Sequence, residues 1–141
     1  MQAGTTTFTR SYEAEPASVG LARAELAAFA AHAGASEPLL DGVRLAVSEA
    51  VTNAVRHAYP LDPGEIRVHA SVGGEALDVV VADDGCGVHS GDDGGGLGLG
   101  LAVICEVSDE MTLAPRADGG TEVRMRFSLL ESGSGAPVGP L

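Results

Sequence analysis

The sequence contains no lysine: all eight of its basic residues are arginine, set against twenty aspartates and glutamates. A P-loop needs its lysine on the nucleotide phosphates and the eukaryotic-type protein kinase needs one on a strand, so both are excluded. The formal charge of -12 and pI near 4.5 would repel a phosphate backbone, and the arginines are scattered rather than gathered in a stripe. Direct nucleic-acid binding is therefore not expected. Only two cysteines are present, Cys86 and Cys105. They lie too far apart for a metal-binding pair and are too few for a disulfide framework, which suits a reducing compartment. No run of 18 apolar residues occurs, and the first twenty residues lack a charged start and apolar centre. A soluble, cytoplasmic protein with no membrane association is expected.

What is present is enough for one domain: 141 residues, 45% of them apolar. The ordered unit is expected over residues 1–131, with a disordered tail over 132–141, where SGSGAPVGPL has nothing to bury. Thr5 to Arg10 suits a short edge or interface strand. After Pro16, apolar residues at three- and four-residue steps (Val19, Ala22, Leu26, Phe29, Ala30, Ala33) predict an amphipathic helix ending at Gly34. Ser36 is placed to cap a second helix, whose stripe Leu40, Val43, Val47, Ala50, Val51, Ala54, Ala58 runs down to Tyr59. Glu65 to Val72 and Ala76 to Ala82 read as a hairpin, and Leu97 to Val107 as a helix. Glu110 to Ala114 and Thr121 to Leu130 read as a second hairpin. This order predicts a two-layer α/β sandwich, a mixed sheet with about three helices on one face.

Three stretches carry chemistry. On the second helix Glu49, Asn53, Arg56 and His57 follow one another at spacings of four, three and one, which lays a polar row along the helix. Asn53 offers a neutral oxygen to a magnesium ion that keeps water and phosphate ligands. Glu49 can take a proton from an attacking hydroxyl. Arg56 can meet a phosphate oxygen, and His57 can do so or cap the helix end. A solvated helix face accounts for the row equally well when it is taken alone. Asp83 ends a strand that reads as buried, where its carboxylate needs a donor, and Gly85 and Gly87 let the backbone pass close to a flat ring. An ordinary Asp-Gly turn is the alternative. Finally Gly96, Leu97, Gly98, Leu99 and Gly100 open a helix, where bare backbone N–H groups and the positive end of the dipole favour phosphate. A flexible linker is the alternative there.

Taken in order, E-x-x-x-N-A-x-x-H-A-Y, D-x-G-x-G, G-x-G-x-G and then Gly120-Thr121 entering the last strand resemble the GHKL (Bergerat) ATPase and kinase superfamily. Within it the chain is similar to the anti-sigma factor serine kinases of the RsbW and SpoIIAB type, over roughly Phe8 to Leu130. The resemblance implies ATP and Mg2+ as cofactors, with Asn53 on the metal, Glu49 activating the attacking hydroxyl and Arg56 at the phosphates. It places Asp83 on the adenine amino group, Gly85 and Gly87 along the ring, and Gly96, Gly98 and Gly100 around the phosphates. Thr121 matches a threonine near the adenine pocket, and His57 matches a family histidine. It also implies a homodimer formed through the first strand and helix, a sigma factor as one partner, and a STAS-domain anti-anti-sigma protein as the phosphorylated one. The segment between Gly87 and Gly96 departs from better-known members, being short, acidic and without arginine or lysine. A nucleotide-gated partner switch without kinase activity is the alternative. The ATP-binding half of a sensor histidine kinase is disfavoured, because none of His32, His57, His69 and His89 lies in a preceding dimerisation hairpin.

Overall fold

Along Glu65–Gly73, Ala76–Asp83 and Thr121–Ser128, every second side chain is buried: Ile66, Val68 and Ala70, then Leu77, Val79 and Val81, then Val123, Met125 and Phe127. The alternate set is polar on β2 and β5, with His69, Arg124 and Arg126 exposed, and on β3 it includes Asp78, which Arg126 pairs at 2.8 Å. Such strands have one face that needs a cover and one that rests in water.

The computed structural model describes residues 5–58, 64–85, 95–116 and 119–130. Its elements are β1 (Thr6–Glu13), α1 (Ala17–His32), α2 (Glu37–Asn53), a π-helical turn (Ala54–Ala58), β2 (Glu65–Gly73), β3 (Ala76–Asp83), α3 (Gly95–Val107), β4 (Glu110–Pro115) and β5 (Thr121–Ser128). The strands form one sheet in the order β1-β2-β3-β5-β4, and the helices cover its apolar face. Leu26 of α1, Val43, Val47 and Val51 of α2 and Ile104 of α3 meet the strand residues in one core. Each large buried side chain contributes roughly 1.5–3 kcal/mol against the entropy of ordering the chain.

The expected sandwich is therefore present, but all four strand pairings are antiparallel rather than mixed. The reason is topological. The helical hairpin α1–α2 returns the chain to the end at which β1 finished, so β2 runs back along it. Strands β3 and β4 point the same way across α3, yet β5 is inserted between them, and no two parallel strands touch.

Local signals set the helix ends. The Gly34 N–H bonds the Ala31 carbonyl and the Ala35 N–H the Ala30 carbonyl, with Gly34 at φ 99°, which closes α1 in a left-handed turn. The Ser36 side chain accepts from the Leu39 N–H at 3.4 Å, starting α2 where the capping pattern puts it. The far end of α2 differs from expectation: regular α geometry stops at Asn53 and the chain goes on as a π turn. Tyr59, the 61–63 turn, Gly87, the acidic stretch to Gly94 and the tail from 132 lie outside the described residues.

Candidate functional site

Asn53 and Glu49 sit four residues apart on α2, so they share one face of the helix. Asn53 is 7% exposed, Glu49 is half-buried, and α3 passes directly over both. The close approach is at Gly100. A Cβ there would lie 3.0 Å from Glu49 Oε1, 3.0 Å from Asn53 Nδ2 and 3.1 Å from Asn53 Oδ1. A side chain there would press on both polar groups, which would have to give way by a few tenths of an ångström. The glycine run stands within the helix, whose first residue is Gly95, two residues earlier than the apolar pattern suggests. Gly96 and Leu97 thus lie in its first turn, where backbone N–H groups lack intrahelical partners, while Gly98 and Leu99 follow inside the helix.

The second wall is made by strand ends. Asp83 closes β3 and lies in register beside Thr121 at the start of β5; the two are 6% and 7% exposed. The Gly85 N–H donates to Asp83 Oδ1 at 2.9 Å, and the Thr121 backbone N–H donates to the same carboxyl group. Burial pushes the Asp83 carboxyl above its ordinary value; the Gly85 and Thr121 donors pull against this, Asp84 adds to the rise, and Arg116 opposes it. The π turn after Asn53 packs against β3, which brings the α2 row and the Asp83 end of the strand to one region.

Among the described residues, two buried side-chain atoms have no hydrogen-bond partner, Asn53 Nδ2 and Thr121 Oγ1. Leaving such an atom unpaired costs about 1–3 kcal/mol. Both belong to residues that sequence reasoning assigned to the pocket, one to each wall. A polar ligand between them would supply what they lack. The neutral Asn53 oxygen, the glycine-opened helix and a carboxylate at a strand end are donors and acceptors of the kind that a metal-bound purine nucleotide requires.

One member of the predicted row departs from it. The π turn changes the helical phase after Asn53, so Arg56 leaves the Glu49–Asn53 line and stands exposed. His57 lies in the same turn. Two structural features escaped the sequence. Asp84 is held by Arg67 in a two-pronged bond, at 3.0 and 3.1 Å, and by Arg116 at 3.5 Å. Arg67 lies opposite Ala82, so Asp84 is its diagonal neighbour, a pairing legible only once the hairpin register is known. The other is the close approach at Gly120, which the motif order names only as the residue before Thr121: a Cβ there would land on the Asp83 carbonyl, 2.7 Å from its carbon and 2.8 Å from Asp84 Cα. Backbone atoms cannot give way as a flexible side chain can. We expect Gly120→Ala to destabilise the fold by about 1–3 kcal/mol, read as a lowered denaturant midpoint. An unchanged midpoint would mean that β5 does not abut Asp83.

The helix-backed sheet, the acidic strand end and the glycine-opened helix facing an asparagine define a GHKL-type α/β sandwich. The histidine kinase-like ATPase domain family matches residues 12–127. A serine-protein kinase RsbW from Bacillus licheniformis is 34% identical over 84% of this chain and 70% of its own length. The RsbW of Bacillus subtilis (strain 168) is 41% identical over 51% of this chain and 46% of its own. Among solved structures, the RsbU and RsbW domains of a Mycobacterium tuberculosis protein superpose with a TM-score of 0.71 at 26% identity, covering 91% of this chain and 34% of that one. The chain belongs to the histidine kinase-like ATPase domain family, and its similarity to RsbW proteins extends over most of its length. It spans about half the length of several of the relatives it matches.

Proposed function

We propose that this chain is an ATP-binding anti-sigma regulatory factor with serine/threonine kinase activity toward a STAS-domain anti-anti-sigma partner. The observation that carries this reading is the pair of buried side-chain atoms without a hydrogen-bond partner among the described residues, Asn53 Nδ2 beside Gly100 and Thr121 Oγ1 beside Asp83. The names of the RsbW relatives add the serine-protein kinase assignment. Asp83 holds the adenine amino group and Thr121 lies beside it, with Gly85 and Gly87 along the ring. Backbone N–H groups of the first turn of α3, at Gly96 and Leu97, hold phosphate oxygens, Gly98, Leu99 and Gly100 continue the phosphate-facing turn, and Asn53 holds magnesium. Arg56 and His57 lie at the phosphate end. Magnesium, when bound, neutralises phosphate charge and fixes the nucleotide's pose. Glu49 stands next to Asn53 and accepts the proton of the attacking serine or threonine hydroxyl.

The chain works as one domain over 1–131, in the cytoplasm and as a homodimer. Support for the dimer lies at the β1 edge. Phe8 and Phe29, with ring centroids 5.6 Å apart, line a groove of about 760 Å³ with Arg10, Glu25 and Val72. No described helix is long and apolar enough to cross a membrane.

Incubation with labelled ATP, magnesium and a STAS-domain protein tests the proposal, with label expected on the STAS partner and none without magnesium. One sequence feature favours the switch reading: the stretch between Gly87 and Gly96 has no arginine or lysine to clamp a terminal phosphate. ATP binding without transfer would establish that switch. No ATP binding would leave a scaffold.

A further inference from the structure

Asp84 is the exposed neighbour of Asp83, and nothing in the nucleotide reading uses it. It is nevertheless gripped from two strands, by the Arg67 fork on β2 and by Arg116 at the end of β4. Planar two-pronged pairing fixes orientation as well as distance, which a single surface ion pair does not. Arg116 is also tied to the β4–β5 turn. Its N–H bonds the Gly120 carbonyl, and the Gly119 N–H bonds the Arg116 carbonyl. The grip therefore connects β2, the end of β3 and the start of β5, the three strands around Asp83. Between Asp83 and Gly85, whose N–H holds the Asp83 carboxyl, only Asp84 intervenes.

We propose that Arg67, Asp84 and Arg116 form an ion-pair clamp that positions the Asp83 carboxylate for the base of a bound purine nucleotide. The proposal rests on the nucleotide reading above and adds positioning residues to it. Arg67 supplies the geometry by holding both oxygens of the Asp84 side-chain carboxylate. Asp84 and Arg116 act on Asp83 with opposite sign, the carboxylate opposing its ionisation and the guanidinium favouring it. The other charged groups on the surrounding elements are Glu65 on β2, Glu122 on β5, and Glu49 and Arg56 on the helix side. Within α3, Gly95 to Ile104 contains none.

The sign difference separates a clamp from a plain structural brace. In nucleotide-free protein, the Asp83 side-chain carboxyl followed by carbon NMR should titrate at lower pH in Asp84→Asn and at higher pH in Arg116→Gln. The acid limit of ATP–magnesium binding should move in the same two directions, since ATP's own titration is common to all the proteins. Asp84→Asn should weaken ATP binding at pH 7 by less than about tenfold. Shifts of one sign in both variants, or none in a folded variant, would overturn the clamp even where wild-type protein binds ATP. Opposite NMR shifts in a chain that binds no ATP would overturn the nucleotide reading and leave a purely electrostatic linkage.

Discussion

Replacing Asp83 by Asn is expected to weaken ATP binding at pH 7 by about a hundredfold, about 3 kcal/mol, while the melting temperature of the nucleotide-free protein stays level or rises. Gly85 and Thr121 both donate backbone N–H groups to the carboxyl. The amide oxygen of Asn must serve those donors, which turns its NH2 toward the pocket. An adenine amino group would then meet a donor where it needs an acceptor. Stability moves the other way because Asp83 is 6% exposed and burial holds its carboxyl above the ordinary carboxylate value. A group raised in this way binds its proton more tightly in the folded state than in the unfolded one. Its cost is absent at acid pH, develops as pH rises from the ordinary value to the raised one, and is complete above that. Asn has no such cost, so the two proteins' melting temperatures should converge as pH falls into that window. The measurement is thermal unfolding with and without ATP and magnesium. At a ligand concentration of about a thousand times Kd the wild type gains about 4 kcal/mol, and a hundredfold weaker variant keeps about a third of that. An undiminished ATP shift in the variant would remove Asp83 from the adenine site.

The places where sequence and structure agree share a physical cause. Asp83 stood out in the sequence as a carboxylate ending an apolar strand and Asn53 as a member of a polar row on an otherwise apolar helix, and the structure buries both; Thr121, also buried, stood out only through the family resemblance. The sandwich was legible because strand alternation and helix stripes differ in period. What stayed hidden depends on long-range geometry. The antiparallel sheet follows from β5 entering between β3 and β4, which no local window records. The π turn at Ala54–Ala58 is likewise a tertiary choice: AVRHA continues a helical pattern, and packing against β3 breaks its phase. That turn separates Glu49 and Asn53 from Arg56, which the sequence had set in one row. π turns recur at functional sites, and this one begins at the residue after Asn53.

Glu49→Gln is expected to lower phosphoryl transfer to a STAS-domain partner by about 10²–10⁴-fold while changing ATP affinity less than about threefold. Glutamine preserves the shape of the side chain beside Gly100, where Glu49 Oε1 and the Asn53 amide line the same hollow. It removes only the ability to accept a proton. Glu49 is half-buried whereas Asn53 is almost fully enclosed, so the carboxylate retains access to an incoming hydroxyl while the carboxamide stays fixed behind it. A metal ligand and a base adjacent on one helix face put proton acceptance within reach of the phosphates without burying an unpaired charge. Single-turnover transfer at saturating ATP, set beside equilibrium ATP binding, divides the two roles. Equal loss of transfer and binding would make Glu49 a binding group. Transfer within tenfold of wild type would place the base on another residue. In either case Asn53→Ala separates metal from base, since it should abolish the magnesium dependence of ATP binding that Glu49→Gln leaves in place.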